Sequence, residues 1–574
     1  MVIAAHRRTR PKSLRPQPPW TRVHELAYSY WGCGHQVSIS SDFMRSTQAG
    51  LAAAAATRRR FLTVTGTAAA LALTGALPGI RSAHAASAVN VDRQPLFTLG
   101  IASGDPLPDA VVIWTRLAPE PLAPFGGMDQ RPVTVQWQVA EDEAFHRVVR
   151  RGTATARPEY SHTVHVDVQG LRPWRHYFYR FRVGGQISPV GRTRTAPAPG
   201  DAISAMSFAF ASCQAWFEGY YTALADMARR DHDVILFLGD YIYEFGADKG
   251  VRPDSGDPHA MRQTVTLDDY RERYALYKID PDLQAAHAAA PWIVTLDDHE
   301  VVDNWADEAH PSAPPASFLV RRANAFRAYW EHMPLRLSQL PNGPDMQLYR
   351  RLRYGTLAEF SILDTRQYRS DQAGGDGEKP PNPGSLDPSR TITGEEQERW
   401  LLDGLAASGT RWNVIGQQNA MAQLDVKAGP DMVVPMDTWD GYVGSRNRVL
   451  GGAHERGVKN LVSLGGDLHR SVASDLKLDF ADPASPTVGT EFVGTSITSG
   501  LDGADHDQVG LTLLAENPHI KYHNFQRGYV TCTVTEQEWT ADYRVADRVT
   551  TPGGTVTTRA QLVVEDGRAG IQTT

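Results

Sequence analysis

Three short runs in this 574-residue chain each combine a carboxylate with a second group able to bind a metal or move a proton. Gly239-Asp240-Tyr241-Ile242-Tyr243 puts a phenol three residues after an aspartate. Asp297-Asp298-His299-Glu300 sets two carboxylates beside an imidazole, and Gly465-Gly466-Asp467-Leu468-His469 holds Asp and His on the same side of an extended segment. A carboxylate at a strand end can bridge two cations, and a nearby phenol can turn toward one of them. Glycine at such a turn lets the backbone come close to a ligand. Singly these runs are commonplace, since a lone Asp-His more often forms a structural pair. Three in order, each after an apolar strand-like run, point to a shared cation site.

Such a site exists only if the fold gathers these runs, so the elements before them matter. Phe208 to Phe210, Val234 to Leu238, Trp292 to Leu296, Trp412 to Ile415 and Leu461 to Leu464 are apolar runs that each stop at a polar signature. The signatures are Ala211-Ser212-Cys213, Gly239-Asp240, Asp297 to Glu300, Gly416-Gln417-Gln418-Asn419, and Gly465 to His469. Helical segments lie between them. Phe318 to His332 carries Phe326, Tyr329 and Trp330 at the spacing of a core-facing stripe. Thr393-Gly394-Glu395-Glu396 reads as a capping-box start to a helix through Trp400 and Leu405. Buried strands with polar C-terminal ends predict a layered α/β (α+β) sandwich over residues 204–545, its site where those ends converge. Residues 546–574 read as a C-terminal tail.

Residues 90–199 read differently. Val111 to Trp114, Val133 to Val139, His162 to Val166 and Tyr177 to Val183 are short, partly alternating runs separated by Gly, Pro and Asp. That pattern predicts an N-terminal all-β sandwich of fibronectin/Ig-like type, without a catalytic cluster of its own and joined through a linker at Ala196 to Gly200. Further upstream, Thr57-Arg58-Arg59-Arg60-Phe61-Leu62, an apolar run from Val64 to Leu77 and Ala83-His84-Ala85 read over residues 57–86 as a twin-arginine (Tat) signal peptide. The apolar run is shorter than the roughly 20 residues a membrane span needs. Residues 1–56, with a second methionine at Met44, read as an unstructured extension from an early start site. The expectation is a secreted, extracytoplasmic protein whose partner during export is the Tat translocase.

Composition narrows the rest. With 41% apolar and 21% charged residues the chain reads as soluble and globular, and a net charge of −7 gives no general pull toward nucleic acid or an anionic membrane. No sequence-specific nucleic-acid partner is expected, and the expected state is a monomer. Three cysteines are too few for a disulfide scaffold. Cys213 is read as a ligand because it ends a buried strand; a structural thiol or a disulfide with Cys532 are the alternatives. Arg366 and Arg369 either clamp a phosphate oxygen or pair with Asp364. Asn419 and His519 either line the site or satisfy the core. No Gly-x-Ser-x-Gly elbow is present, so no serine nucleophile is called for.

The order Gly239-Asp240-x-x-Tyr243, then Asp298-His299-Glu300 in place of Asn-His-Glu, then Gly466-Asp467-x-His469, resembles the calcineurin-like metallophosphoesterases. More closely, the chain resembles the alkaline phosphatase D (PhoD) family over nearly its whole mature length. Ser103-Gly104-Asp105-Pro106, Phe210 to Gln214, Asp364 to Arg369, Trp439-Asp440-Gly441-Tyr442 and Gln526-Arg527-Gly528-Tyr529 carry that likeness. The resemblance implies Cys213 where other metallophosphoesterases have an aspartate, and a ferric ion (Fe3+) with calcium (Ca2+) beside it. Thiolate, phenolate and imidazole suit a transition metal, and hard carboxylates suit calcium. On that basis Cys213, Asp240, Tyr243 and His469 are expected on the iron side. Asp240, Asp298, Asn304 and Asp467 are expected on the calcium side, with Asp240 shared. His299, Asp298 and Arg366 are the expected catalytic residues, His299 either donating a proton to the leaving oxygen or holding a phosphate oxygen. The implied reaction is hydrolysis of small phosphate monoesters or diesters by metal-activated water, whose pKa a cation lowers from about 15.7 toward about 7. Two other readings stand beside it: a phospholipase D-like hydrolase of phospholipid headgroups, and an exported non-enzymatic metal-binding protein.

Overall fold

Residues 94–246, 250–252, 258–310 and 313–572 are described by the structure, a computed structural model. The twin-arginine segment and the extension before it lie outside the described residues. Val234–Leu238 is apolar at every position and buried at every position, as a strand covered on both faces must be. It pairs in parallel with Ala205–Ala211 on one side and Trp292–Thr295 on the other. A second parallel set joins Ala358–Ile362, Trp412–Gly416, Leu461–Gly465 and Thr487–Val493. The first set lies in a nine-stranded sheet and the second in a seven-stranded one. Phe208, Phe210, Leu236 and Leu238 of the first pack with Phe360, Val414, Val462 and Leu464 of the second in a single core cluster.

Helices cover the outer faces. Pro315–His332 buries Phe326, Tyr329 and Trp330 as the spacing predicts, in the core cluster that also holds Trp292 and Val294. Glu395–Ala407 and Val443–Glu455 cover the seven-stranded sheet with Leu401, Val449 and Leu450. The result is the expected layered α/β sandwich. The capping box does not form: the N-cap is Gly394 at φ 74°, which offers no side chain, and Glu395, Glu396 and Glu398 instead set negative charge at the helix start.

The N-terminal region is all-β, as expected. Val133–Ala140, Val148–Ala156 and His176–Val183 form a separate sheet. Across from it, Ala110–Arg116 and Thr163–Gln169 share a core with Val135, Val139, Tyr179 and Phe181. That second face is not a free-standing sheet. Ala110–Arg116 pairs with Ile101–Gly104, and Gly104 in turn pairs in parallel with Trp292. The nine-stranded sheet therefore runs from Val234–Leu238 and Trp292–Thr295 into the N-terminal region. At its opposite edge Val556–Glu565 pairs along Glu538–Ala546, so residues 546–574 supply a sheet strand rather than a tail.

Candidate functional site

Five of the parallel strands deliver their C-terminal ends to one place. Cys213 follows Ala205–Ala211, Asp240 follows Val234–Leu238, and Asp297 to Glu300 follow Trp292–Thr295. From the other sheet, Asn419 follows Trp412–Gly416 and Asp467 to His469 follow Leu461–Gly465. Three groups of ligand atoms result, each with all members within 4.8 Å of one another: Cys213, Asp240 and His469; Asp240, Asp298 and His299; and Asp240, Asp297, Asp298 and Asp467. Asp240 belongs to all three.

The backbone is bent to achieve this. Cys213, Asp240, Asn304, Asp467 and His469 all have φ between 48° and 64°. Such a conformation costs a side-chain-bearing residue roughly 1–3 kcal/mol and persists only where neighbours hold it. Here the neighbours are hydrogen bonds: Cys213 N–H donates to the Gly239 carbonyl (3.2 Å) and Gln214 N–H to the Asp240 carbonyl (3.0 Å). Glu300 ties the loops further, accepting from the backbone N–H groups of Tyr241 (2.6 Å), Asp297 (2.7 Å) and Asp240 (3.1 Å).

Tyr243 turns its hydroxyl inward, 3.2 Å from Asp240 Oδ2 and 3.0 Å from His469 Nε2. Asn419 Nδ2 donates to Asp467 Oδ2 (3.0 Å), which places Asn419 at the site. His519 lies elsewhere, with Nε2 on the Gln423 carbonyl. The Asn304 amide N–H donates to Asp298 Oδ2 (2.7 Å), while its side-chain nitrogen donates to Asp376 (2.8 Å). Cys213 and Cys532 are both free and buried, so no disulfide joins them.

Arg366 departs from expectation. It is wholly buried, with Nε 2.5 Å from Asp297 Oδ1, Nη2 2.8 Å from Asp437 Oδ2 and Nη2 3.5 Å from Asp298 Oδ1. A guanidinium enclosed by three carboxylates is committed to ion pairs with them and holds them in place. Asp364 does not pair with its side chain and accepts instead from the Arg366 and Gln367 amides. Arg369 is likewise spent on Asp437 (3.1 Å) and the Tyr442 hydroxyl.

Sequence reasoning missed Glu244, which follows Tyr243 directly. Its buried carboxylate accepts from His299 Nδ1 (2.8 Å) and from the Asp303 amide (2.9 Å). Burial works against charge on His299, but Asp298, Glu244 and Asp240 outweigh it and raise its pKa well above the ordinary value. Thr495 to Gly500 was missed as well. Its Ile497 amide donates to the Cys213 carbonyl (3.1 Å), its Thr498 hydroxyl to the Ala215 carbonyl (2.9 Å), and its Ser499 hydroxyl to Tyr243 Oη (2.6 Å). Only a tyrosine-facing serine carries chemistry there, and nothing in its local pattern announces it.

The electrostatics fit cations. Burial raises the pKa of Asp240 and Asp297, and that of Asp467 to about 7, with neighbouring carboxylates adding to each effect. Burial also pushes the Cys213 thiol up, with Asp240 and Asp467 adding to it. Asp297 Oδ2 and Asp298 Oδ1 are buried without a hydrogen-bond partner. Four carboxylates so close cannot all stay ionised in a dry pocket unless positive charge joins them. Arg366 supplies one such charge, and the donor set has room for more.

Comparison with known proteins agrees with this geometry. The family model described as PhoD-like phosphatase matches residues 208–543, and that of the PhoD-like phosphatase N-terminal domain matches residues 83–197. Alkaline phosphatase D of Bacillus subtilis (strain 168) is 48% identical over 522 residues, covering 90% of this chain and 88% of the relative. A solved structure titled "Structure of PhoD" superposes with a TM-score of 0.81 at 50% identity, covering 84% of this chain and 92% of that one. The chain therefore belongs to the PhoD-like phosphatase family and is a phosphoester hydrolase.

Proposed function

We propose that this protein is an exported, metal-dependent phosphatase acting on phosphate monoesters, diesters or both. The observation that carries the reading is the sharing of Asp240 among three ligand groups, beside two buried carboxylate oxygens that lack a hydrogen bond. Cys213, Asp240, Tyr243 and His469 would hold a ferric ion, and Asp240, Asp298, Asp467 and the side chain of Asn304 would hold calcium. Asn304 would do so through Oδ1, while its Nδ2 stays on Asp376. When bound, such cations neutralise phosphoryl charge and generate a nucleophile near neutral pH.

The chain's own residues supply the remaining steps. Glu244 fixes His299 through Nδ1, which leaves Nε2 for the substrate. Surrounded by carboxylates, the imidazolium is suited to protonate the departing alkoxide oxygen. Arg366 and Glu300 keep the strand ends in register from behind. Export rests on the twin-arginine pattern at Arg58-Arg59, and among the described residues no helix is long and apolar enough to cross a membrane.

Kinetics of the purified protein on p-nitrophenyl phosphate and bis-p-nitrophenyl phosphate, with elemental analysis before and after chelation, test the reading. Iron and calcium are expected to leave together with activity. Full turnover by metal-free protein would overturn it.

A further inference from the structure

The turn from Thr495 to Gly500 lies against three of the proposed ligands, yet only one of its side chains reaches a ligand atom. Ser499 Oγ is 2.6 Å from Tyr243 Oη. The direction of that bond is fixed by what lies behind it. Ser499 Oγ accepts from the Ala215 amide at 3.1 Å, so its one proton points away from Ala215 and toward the phenol oxygen. The side chain is 1% exposed, which excludes water as a competing partner. The length falls in the range of an O–H donated to an oxyanion.

The turn has no freedom to swing away. Ile497 N–H donates to the Cys213 carbonyl, and Thr498 Oγ1 to the Ala215 carbonyl. Arg527 Nη1 donates to Ser496 Oγ (2.6 Å), to the Ser499 carbonyl and to the His469 carbonyl (2.9 Å). Gly500 N–H is held by Glu218 Oε2. One buried arginine thus locks the turn to the strand end that carries His469, and the turn's own hydrogen bonds lock it to the strand end that carries Cys213.

We propose that Ser499 is a positioning residue that donates a hydrogen bond to Tyr243 Oη, aiming the phenol oxygen at the metal and moderating its strength as a ligand. The proposal rests on the reading above that Tyr243 ligates a ferric ion. A hydrogen bond to a ligand oxygen draws electron density from it, so less reaches the metal and the metal keeps more Lewis acidity for the substrate. Asp240 and His469 also face Tyr243 Oη, but both are counted among the ligands; Ser499 is the neighbour that only donates.

The test compares wild type, Ser499→Ala, Ser499→Cys and Ser499→Thr, each loaded with ferric iron and normalised to iron content. Loss of the donor lowers the energy of ligand-to-metal charge transfer, so the visible band of Ser499→Ala moves to longer wavelength. Its kcat falls about 10-fold with KM unchanged. Ser499→Thr, which keeps the hydroxyl, stays near wild type, and Ser499→Cys, a weaker donor of similar size, falls between. A wild-type band position in the iron-bound fraction of Ser499→Ala, or of Ser499→Cys if the alanine variant fails to fold, would overturn the proposal. A merely structural role would lower stability or iron content and leave the band where it was. Wild-type protein that binds iron with no such band would remove the ligand reading itself.

Discussion

Glu244 and His299 act as a pair because the buried carboxylate accepts from the imidazole Nδ1 and from the Asp303 amide. Burial pushes the Glu244 pKa up, but His299, joined by Arg321 and the Asp303 amide, outweighs this and the net shift is downward. On His299 the opposite holds: burial lowers its pKa and the surrounding carboxylates raise it. Glu244→Gln removes one of those carboxylates and keeps an acceptor, so the His299 pKa falls. A proton donor is lost as pH rises through its pKa, and a lower pKa moves that loss to lower pH. Glu244→Gln is therefore expected to shift the alkaline limb of the kcat/KM profile to lower pH and to reduce kcat about 10-fold to 100-fold. His299→Gln removes the donor itself and should cost roughly 10²–10⁴ in kcat with metal content retained. Steady-state kinetics across pH, with elemental analysis of the same preparations, separates the two.

At the scale of elements, the site depends on strand ends approaching more closely than side chains normally allow. Gly239 sits at φ 106°, and a Cβ there would lie 2.4 Å from Asp297 Cβ and 2.8 Å from Asp297 N. Gly239→Ala must force apart the loops bearing Asp240 and Asp297 in addition to straining its own backbone. We expect a loss of about 3 kcal/mol or more, read as a fall in the melting temperature together with weakened metal binding. This approach was legible in the sequence because an apolar run that stops at Gly-Asp marks both a buried strand and its polar end. The same signal located Cys213, Asp298, Asp467 and His469. It failed where partners come from distant segments. Arg366 has a local acidic neighbour in Asp364, but its ion pairs are to Asp297, Asp298 and Asp437, which only the folded chain brings together. Thr495 to Gly500 was silent because its contribution is made by backbone amides and hydroxyls, which have no periodicity to read.

At the scale of the whole molecule, the N-terminal region is built into the catalytic sheet. Gly104 continues the sheet from Trp292, Arg350 grips Asp105 through Nε (2.9 Å) and Nη2 (2.6 Å), and Trp114 Nε1 donates to the Glu331 carbonyl (2.9 Å). A chain beginning after residue 199 would open the edge of Trp292–Thr295, and we expect it to be insoluble on expression rather than active. The same junction buries Lys278, whose Nζ lies 4.5 Å from the Trp114 ring centre and 5.1 Å from that of Tyr241. Facing it are His287, with Nε2 at 3.4 Å, and more distantly His332, both with their pKa lowered chiefly by burial; among the described residues no carboxylate offsets the burial of the ammonium. Burial lowers the Lys278 pKa from 10.5 to about 7. Above about pH 10.5 the lysine is neutral in both the folded and the unfolded chain and carries no penalty. Between that point and about pH 7 the unfolded chain takes up a proton that the folded one refuses, so this residue makes stability rise with pH across that window. Below pH 7 the penalty is constant. Lys278→Met removes the penalty and the slope together. The variant should be the more stable at neutral pH, by an amount on the order of a few kcal/mol, and the difference should shrink toward pH 10. Denaturant unfolding of both proteins at several pH values measures it; parallel stability curves would show that Lys278 remains charged in the fold, held by the two aromatic rings.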